Sequence, residues 1–426
     1  MTKILHLAKI IITNDGKPLI DGGFIVEDSR IKRILKKKDL KKSNFNGKII
    51  NHGNVLICPG FINLHCHLFY SDTKKINGKN GLFPWLGKLI LKKINKRNIN
   101  IAIKNLASNG TTTIVENTPD ELTIQELAKS PVKAIIGLEV FGSEENKASR
   151  IFKQYLQKLK ILKTKYKNFD FIFSPHATYD VSVPLWKHLI NWSKKNNSFI
   201  LTHLDESPQE KIWWNHKSGP ALKFWKKINK LEPKLKSWKR YDSSTDFLSK
   251  NKILDKTIIP AHLSQASTSD LIKIKNKNLR LIHCPRSNNY LNNGTANIKM
   301  WNRLNLLWGI GTDSIASNEN LDLLQESRFA IKQQKKIFNY NLSEKDCFEA
   351  ITCRAAKIIS REHELGYIKT SYFADFLVYD IKKYSDCIYK DPYKLIIQSL
   401  DNKKNLKEVW INGKRAWSIK RILHRI

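Results

Sequence analysis

Short runs of apolar, largely β-branched residues recur along this chain, separated by longer segments in which lysines are spaced among leucines and isoleucines. Eight of these runs predict strands, near residues 55–65, 111–116, 132–140, 169–175, 198–203, 257–262, 279–284 and 308–313. A strand buried on both faces shows no alternation, so length and β-branched content are what separate it from a buried helix. The amphipathic segments between the runs predict helices. Strands alternating with helices build a parallel sheet with helices packed outside it. Eight repeats in about 300 residues fit a (β/α)₈ TIM barrel, whose usual length is about 250 residues. The two ends of the chain read differently. Asn14-Asp15-Gly16 and Asp21-Gly22-Gly23 are turn signals between short strands, and residues 374–380 and 409–414 read as strands around a turn.

Chemical groups stand at the ends of these apolar runs. The first run leads into His65-Cys66-His67, the fifth ends in His203 with Glu206 three residues on, and the sixth ends in His262. The seventh ends in His283-Cys284-Pro285-Arg286, and the eighth ends in Asp313. Side chains alternate across a strand, so His65 and His67 point to one side and Cys66 to the other. Parallel barrel strands all present their C-terminal ends to one face, where the active site is built. Taken singly, each group has an ordinary alternative, since His203 could be a core histidine and Asp313 a helix cap before Ser314. Taken together and in this order they point to a site. His283 falls inside its strand run and reads as structural.

The stretches PGFINLHCH, SPHATYD, HLDE, AHLSQAS, HCPRSNNYL and GTDSIASNENLD occur in this order over nearly the whole chain. They resemble the amidohydrolase superfamily, in the branch that holds the cytosine, adenosine-type and S-adenosylhomocysteine deaminases and the chlorohydrolases. The resemblance implies one divalent metal per chain, zinc in first place with iron or manganese as alternatives, held by His65, His67, His203 and Asp313. Three imidazoles and a carboxylate suit such an ion, and an open position leaves room for a water whose pKa falls to about 7. It further implies that Glu206 moves protons to the substrate ring and the leaving group, that Asp313 accepts the water's proton, and that His262 bonds the attacking oxygen. The ends of the chain then correspond to a small β-sandwich composed of residues 1–54 and 364–426, beside a barrel of residues 55–363.

Loop content narrows the expectation. Phe69, Tyr70, Phe83, Pro84 and Trp85 follow the first strand, and Trp213, Trp214, Trp225 and Trp238 follow the fifth. Overhanging the barrel mouth, such rings would stack on a base or cover an apolar group. FINLHCHLFYS with GLFPWLGKLI, HLDESPQEKIWW and HCPRSNNYLNNG are most similar to the aminodeoxyfutalosine deaminases. That resemblance implies hydrolytic deamination of 6-amino-6-deoxyfutalosine to futalosine and ammonia, in menaquinone biosynthesis. S-adenosylhomocysteine, methylthioadenosine or adenosine deamination and triazine dechlorination are the alternatives within the branch. His176 and Ser317 match substrate-contacting positions, Trp85 is placed to cover the substrate, and Arg286 is the candidate partner for a carboxylate.

Composition changes this picture little. The chain carries 75 basic and 38 acidic residues, a net charge of +37, which ordinarily suggests a nucleic-acid partner. Here the lysines are spread along the whole chain beside abundant Asn and Ile, as codon bias in an AT-rich genome also produces. A non-catalytic, nucleic-acid-binding barrel is thus the rival from another class, and a small aminopurine nucleoside is the favoured partner. No run approaches the roughly 18 apolar residues of a membrane span. The six cysteines show no CxxC spacing, as expected of reduced thiols in a cytoplasmic protein, and a homodimer is compatible with the sequence.

Overall fold

The computed structural model describes residues 3–40, 45–71, 76–92, 96–227, 239–384 and 391–418. Both ends of the chain contribute to one mixed sheet. From the N-terminal side come β1 (Lys3–Ile11), β2 (Leu19–Glu27), β3 (Arg30–Leu35), β4 (Lys48–Asn51) and β5 (Val55–Pro59). The barrel follows, with β6 (Phe61–Cys66), β7 (Thr111–Thr118), β8 (Lys133–Val140), β9 (Asp170–Pro175), β10 (Ile200–Leu204), β11 (Ile258–His262), β12 (Arg280–His283) and β13 (Leu307–Ile310). The C-terminal side returns β14 (Phe376–Asp380), β15 (Leu406–Ile411) and β16 (Lys414–Ser418) to the first sheet, in the order β16-β15-β14-β5-β1-β2-β3 with β4 beside β1.

The apolar run expected as one strand over 55–65 is two strands in two different sheets. β5 pairs with β1 and β14, whereas β6 begins the barrel. Gly60 separates them, and it does so without a side chain because a Cβ there would lie 2.3 Å from the side chain of Thr112. The chain can pass from one sheet to the other only by pressing its backbone against β7. Continuous hydrophobicity hid the change of sheet, since both halves are buried along their whole length.

β6 to β13 pair in sequence order, each parallel to the next. The ring closes between its first and last strands. Cys66 bridges Asp313, and the His65 carbonyl accepts the backbone N–H groups of Thr312 and Asp313 at 3.1 and 3.0 Å. Val115, Ile135, Ile172, Leu201, Ile259 and Ile282, one from each of six consecutive strands, belong to a single buried cluster. Strand alternation puts Val115 on the same face as Asn117, Ile135 on the same face as Glu139, and Leu201 on the same face as His203. Polar groups thus sit above an apolar layer, at the C-terminal ends of the strands.

Closure needs a glycine at its tightest point. A Cβ on Gly311 would lie 2.6 Å from Cβ and 2.8 Å from the backbone N of His65. Gly311→Ala is therefore expected to lower the unfolding free energy of the metal-stripped protein by about 1–3 kcal/mol, the usual range for overpacking. Urea denaturation measures it, and an unchanged midpoint would show that the seam yields without cost.

Candidate active site

β6 places His65 and the residue that follows it into the turn, His67, at the mouth of the barrel. His67 Nε2 lies 3.2 Å from His65 Nε2 and 3.3 Å from His203 Nε2. Asp313 Oδ1 stands 3.9 and 3.7 Å from the same nitrogens of His65 and His67. The ligand atoms of His65, His67 and Asp313 lie within 4.8 Å of one another, as do those of His65, His203 and His262. All five residues are buried.

The opposite ring nitrogens decide what this cluster can hold. His203 Nδ1 faces the His176 carbonyl at 2.8 Å, and His262 Nδ1 faces Asn288 Oδ1 at 2.7 Å. Both acceptors require a proton on Nδ1, which leaves the lone pair on Nε2. His65 Nδ1 lies 3.0 Å from the Asn117 amide. With the amide oxygen turned to that ring, an Oδ1 that is otherwise buried without a donor is satisfied as well. The Nε2 lone pairs of His65 and His203 then converge with the Asp313 carboxylate around His67 Nε2. Such a set is repulsive when empty and complementary to a divalent cation, so the residues present fit the metal expected from the sequence.

Burial and charge give the ligands the needed protonation states. Burial, reinforced by the neighbouring rings, pulls the pKa of His65 and His203 well below the ordinary value, so both are neutral. Burial alone would raise Asp313, but His67, His262 and His65 outweigh it and hold the carboxyl below its usual range. Ser287 Oγ and Ser317 Oγ donate to Asp313 Oδ2 at 2.5 and 2.9 Å, leaving Oδ1 turned to the rings. Asp205, His262 and Asp313 have φ of +47°, +76° and +60°. Left-handed backbone at non-glycine residues costs of order 1–3 kcal/mol each and persists where the surroundings fix it.

Glu206 sits at the next step outward. Its Oε1 accepts from Asn293 Nδ2 at 3.0 Å and stands 3.9 Å from His262 Nε2, a nitrogen buried without a hydrogen-bond partner. Burial raises the Glu206 pKa against the pull of His262, as a proton donor near neutral pH requires. The peptide around Glu206 is pinned on both sides. Its N–H donates to Glu210 Oε2 at 2.7 Å, and its carbonyl accepts from Ser264 Oγ at 2.5 Å. The helix Pro208–His216 begins here, capped by Ser207, so the acid is fixed where strand gives way to helix.

A cavity of about 770 Å³ opens over these groups. His67, His203, Glu206 and Asp313 form part of its lining, with His176, Trp85, Tyr70, Phe224 and Trp225 around it. His176 bonds Asp180 at 2.6 Å; burial disfavours its charged form, but Asp180 prevails and holds it up to about 9. Ser317 reaches the site through Asp313. Arg286 is not brought to the cavity, because its guanidinium donates to Asn320 Oδ1 at 2.9 Å and its backbone N–H donates to Glu326 Oε2 at 3.1 Å. Trp213 and Trp214 are core residues, with Trp214 stacked on Phe247, and Trp238 lies outside the described residues. His283 is buried, held down to about 3 chiefly by that burial, and packs edge-on against Trp301. A larger groove, about 1310 Å³, lies at the other end of the barrel. Within its lining Arg361 pairs with Asp170 and Glu364, and Lys133 is bonded to the neighbouring Asp375 at 2.5 Å.

Sequence reasoning passed over Glu116, Asn117 and Glu139, all buried at the ends of β7 and β8. Glu116 accepts the Leu68 N–H at 2.9 Å and so fixes the turn that carries His67. The signal was present, since each is a polar residue closing an apolar run.

The model of the amidohydrolase family matches residues 56–416. Among curated proteins, the chain is 28% identical to the 5-methylthioadenosine/S-adenosylhomocysteine deaminase of Thermodesulfovibrio yellowstonii, covering 97% of this chain and 92% of that protein. It is 26% identical to the aminodeoxyfutalosine deaminase of Nitratiruptor, covering 74% and 76%. Among solved structures, aminofutalosine deaminase from Helicobacter pylori in complex with methylthio-coformycin superposes with a TM-score of 0.82 at 24% identity, covering 96% and 99%. An adenosine deaminase from Xanthomonas campestris with bound zinc gives 0.75 at 18%, covering 97% and 92%. At these identities the structural likeness shows the shared fold.

Elemental analysis of the purified protein should find about one divalent metal per chain, and chelation should lower its thermal midpoint. A ligand at a thousand times its Kd stabilises by about 4 kcal/mol. His203→Ala should lose both the metal and the response to chelator. A variant that still held one metal per chain would remove His203 from the ligand set.

Proposed function

The chain belongs to the amidohydrolase family, and on that premise we propose that it hydrolyses the 6-amino group from an adenine nucleoside, giving the hypoxanthine nucleoside and ammonia. The observation that carries the reading is the placement of Glu206. A buried carboxyl with a raised pKa stands beside the partnerless Nε2 of His262, on the wall of the cavity that the convergent imidazoles also line.

His65, His67, His203 and Asp313 would hold the metal, for which we propose zinc. Bound there, it would supply Lewis acidity, making water nucleophilic near neutral pH. The protein's own groups move the protons. Glu206 gives a proton to the purine ring nitrogen next to C6, so the ring accepts electrons as water's oxygen bonds to C6. Asp313 Oδ1, its carboxyl held toward the ionised form by His67 and the other rings around it with help from Ser287, takes the proton that the water loses. His262, with Nδ1–H committed to Asn288, offers Nε2 to the hydroxyl on the tetrahedral carbon. The C6–N bond then breaks as the hydroxyl becomes a carbonyl: Glu206 carries the hydroxyl's proton to the amino group, which leaves as ammonia, and the proton held by Asp313 returns to Glu206.

The finer substrate we propose is 6-amino-6-deoxyfutalosine, which would place the protein in menaquinone biosynthesis in the cytoplasm. Support comes from the likeness to the Nitratiruptor protein and from the apolar end of the cavity. There Leu86, Leu89, Ile90, Trp85 and Phe224 provide a surface for an aryl group. A second reading, methylthioadenosine or S-adenosylhomocysteine, is favoured by the fuller coverage of the Thermodesulfovibrio protein. Methylthioadenosine is favoured further by the lining itself, which among the described residues has Glu139, Glu144, Asp180, Glu206 and Asp313 but no lysine or arginine. The cation that a benzoate arm would meet among the described lining residues is the His176 ring, which Asp180 already engages at 2.6 Å.

Ammonia release from 6-amino-6-deoxyfutalosine, methylthioadenosine, S-adenosylhomocysteine, adenosine and a chlorotriazine, assayed in parallel, ranks these readings by kcat/KM. Glu206→Gln should lower kcat by roughly 10²-fold or more, the worth of a positioned acid, while metal content stays at the wild-type level. Turnover from a triazine alone would move the substrate out of the nucleosides.

A further inference from the structure

Three of the four histidines at the site have their outer nitrogen satisfied, His65 by Asn117, His203 by the His176 carbonyl and His262 by Asn288. His67 is the exception. Its Nε2 faces the common centre, and its Nδ1 is buried without a hydrogen bond. Beside that nitrogen stands Glu139 Oε1, at 3.5 Å. Glu139 comes from the end of β8, its side chain is 2% exposed, and it lines the cavity. No hydrogen bond engages its carboxylate among the described residues. Two groups that each need a partner, one a donor and the other an acceptor, therefore face each other just beyond bonding distance.

We propose that Glu139 is the positioning residue of His67, its carboxylate accepting the Nδ1 proton so that Nε2 keeps its lone pair toward the metal. This rests on the metal-holding reading of the site. The physical reason is tautomer control: neutral imidazole carries one proton on either nitrogen, and only an acceptor at Nδ1 keeps Nε2 free. Glu116 fixes the backbone just after His67, through the Leu68 N–H, but leaves the ring itself to turn. Glu139 supplies the missing restraint, and with it an electron-rich partner that makes the ring a better ligand. With a metal bound it would be a carboxylate–histidine–metal arrangement, the carboxylate acting through the ring.

The test is zinc affinity, measured by competition with a chromophoric chelator on the full chain. Glu139→Ala is expected to bind zinc roughly 10–100-fold more weakly than wild type, the usual loss when such a partner is removed. Glu139→Gln should fall between them, because its amide oxygen can still accept from Nδ1–H. The melting of metal-free protein is recorded alongside, and the expected result is no loss of stability in the Gln variant, since an unpartnered buried carboxylate has been neutralised. Wild-type zinc affinity in both variants would overturn the proposal. So would a raised KM for nucleosides at unchanged zinc affinity, which would show the carboxylate facing substrate. If the Ala variant does not fold, the Gln variant alone decides by the same affinity criterion. Failure of the wild-type chain to bind zinc at all is a separate outcome that removes the metal reading and the proposal with it.

Discussion

Closure of the barrel at His65 is the constraint from which the site follows. The carbonyl of His65 takes the two amide protons of Thr312 and Asp313, so the residue that joins the last strand to the first is also one whose ring faces the centre. Gly311 lies against it without a side chain, and Asp313 adopts a left-handed backbone directly afterwards. Any shift of this seam moves a nitrogen and an oxygen of the same cluster together. Fold and chemistry share their hydrogen bonds here, which is why the site tolerates strained backbone that a surface loop would relax.

A second layer makes the cluster usable. Imidazole rings brought within about 3.3 Å of one another gain nothing by themselves; burial makes them neutral, and acceptors behind them turn their lone pairs inward. The acceptors come from different elements: a side-chain amide of β7, the carbonyl of His176 just beyond β9, and an amide from the helix after β12. The groups that converge and the groups that orient them thus come from different strands of one barrel. The energetic cost is concentrated at one end of the barrel, while the apolar layer beneath it, with Val115, Ile135 and Leu201, carries the stability.

Much of this was legible in the sequence, for a physical reason. A buried parallel strand is a run of β-branched residues, and a polar group at its C-terminal end has few explanations other than the barrel mouth. His65, His67, His203, His262 and Asp313 were found that way, and the structure gathers them. Glu139 and Asn117 satisfy the same criterion but were passed over, because Glu and Asn closing a strand also read as ordinary loop residues. The break at Gly60 was invisible, since burial on both sides of it left no polar residue to mark the change of sheet. Arg286 shows the opposite error: its charge suggested a ligand, but Glu326 and Asn320 claim it, and partners 30 to 40 residues away in sequence cannot be seen in a pattern of neighbours.

The net charge of +37 illustrates how little a sum says about a site. The described cavity lining carries five carboxylates and no lysine or arginine, so a ligand meets acids inside a strongly basic chain. Screening explains how the two coexist: at about 0.15 M salt, exposed charges are felt over only about 8 Å, whereas buried groups act on their neighbours with little attenuation. Asp313 is held ionised by the rings around it, and Glu206, shielded from water and a step further out, is held toward its protonated form. Two carboxyls on the wall of one cavity are thereby pushed in opposite directions, Asp313 toward its ionised form and Glu206 toward its protonated one. That separation is a property of their local surroundings, and a general excess of lysine on the surface neither creates nor removes it.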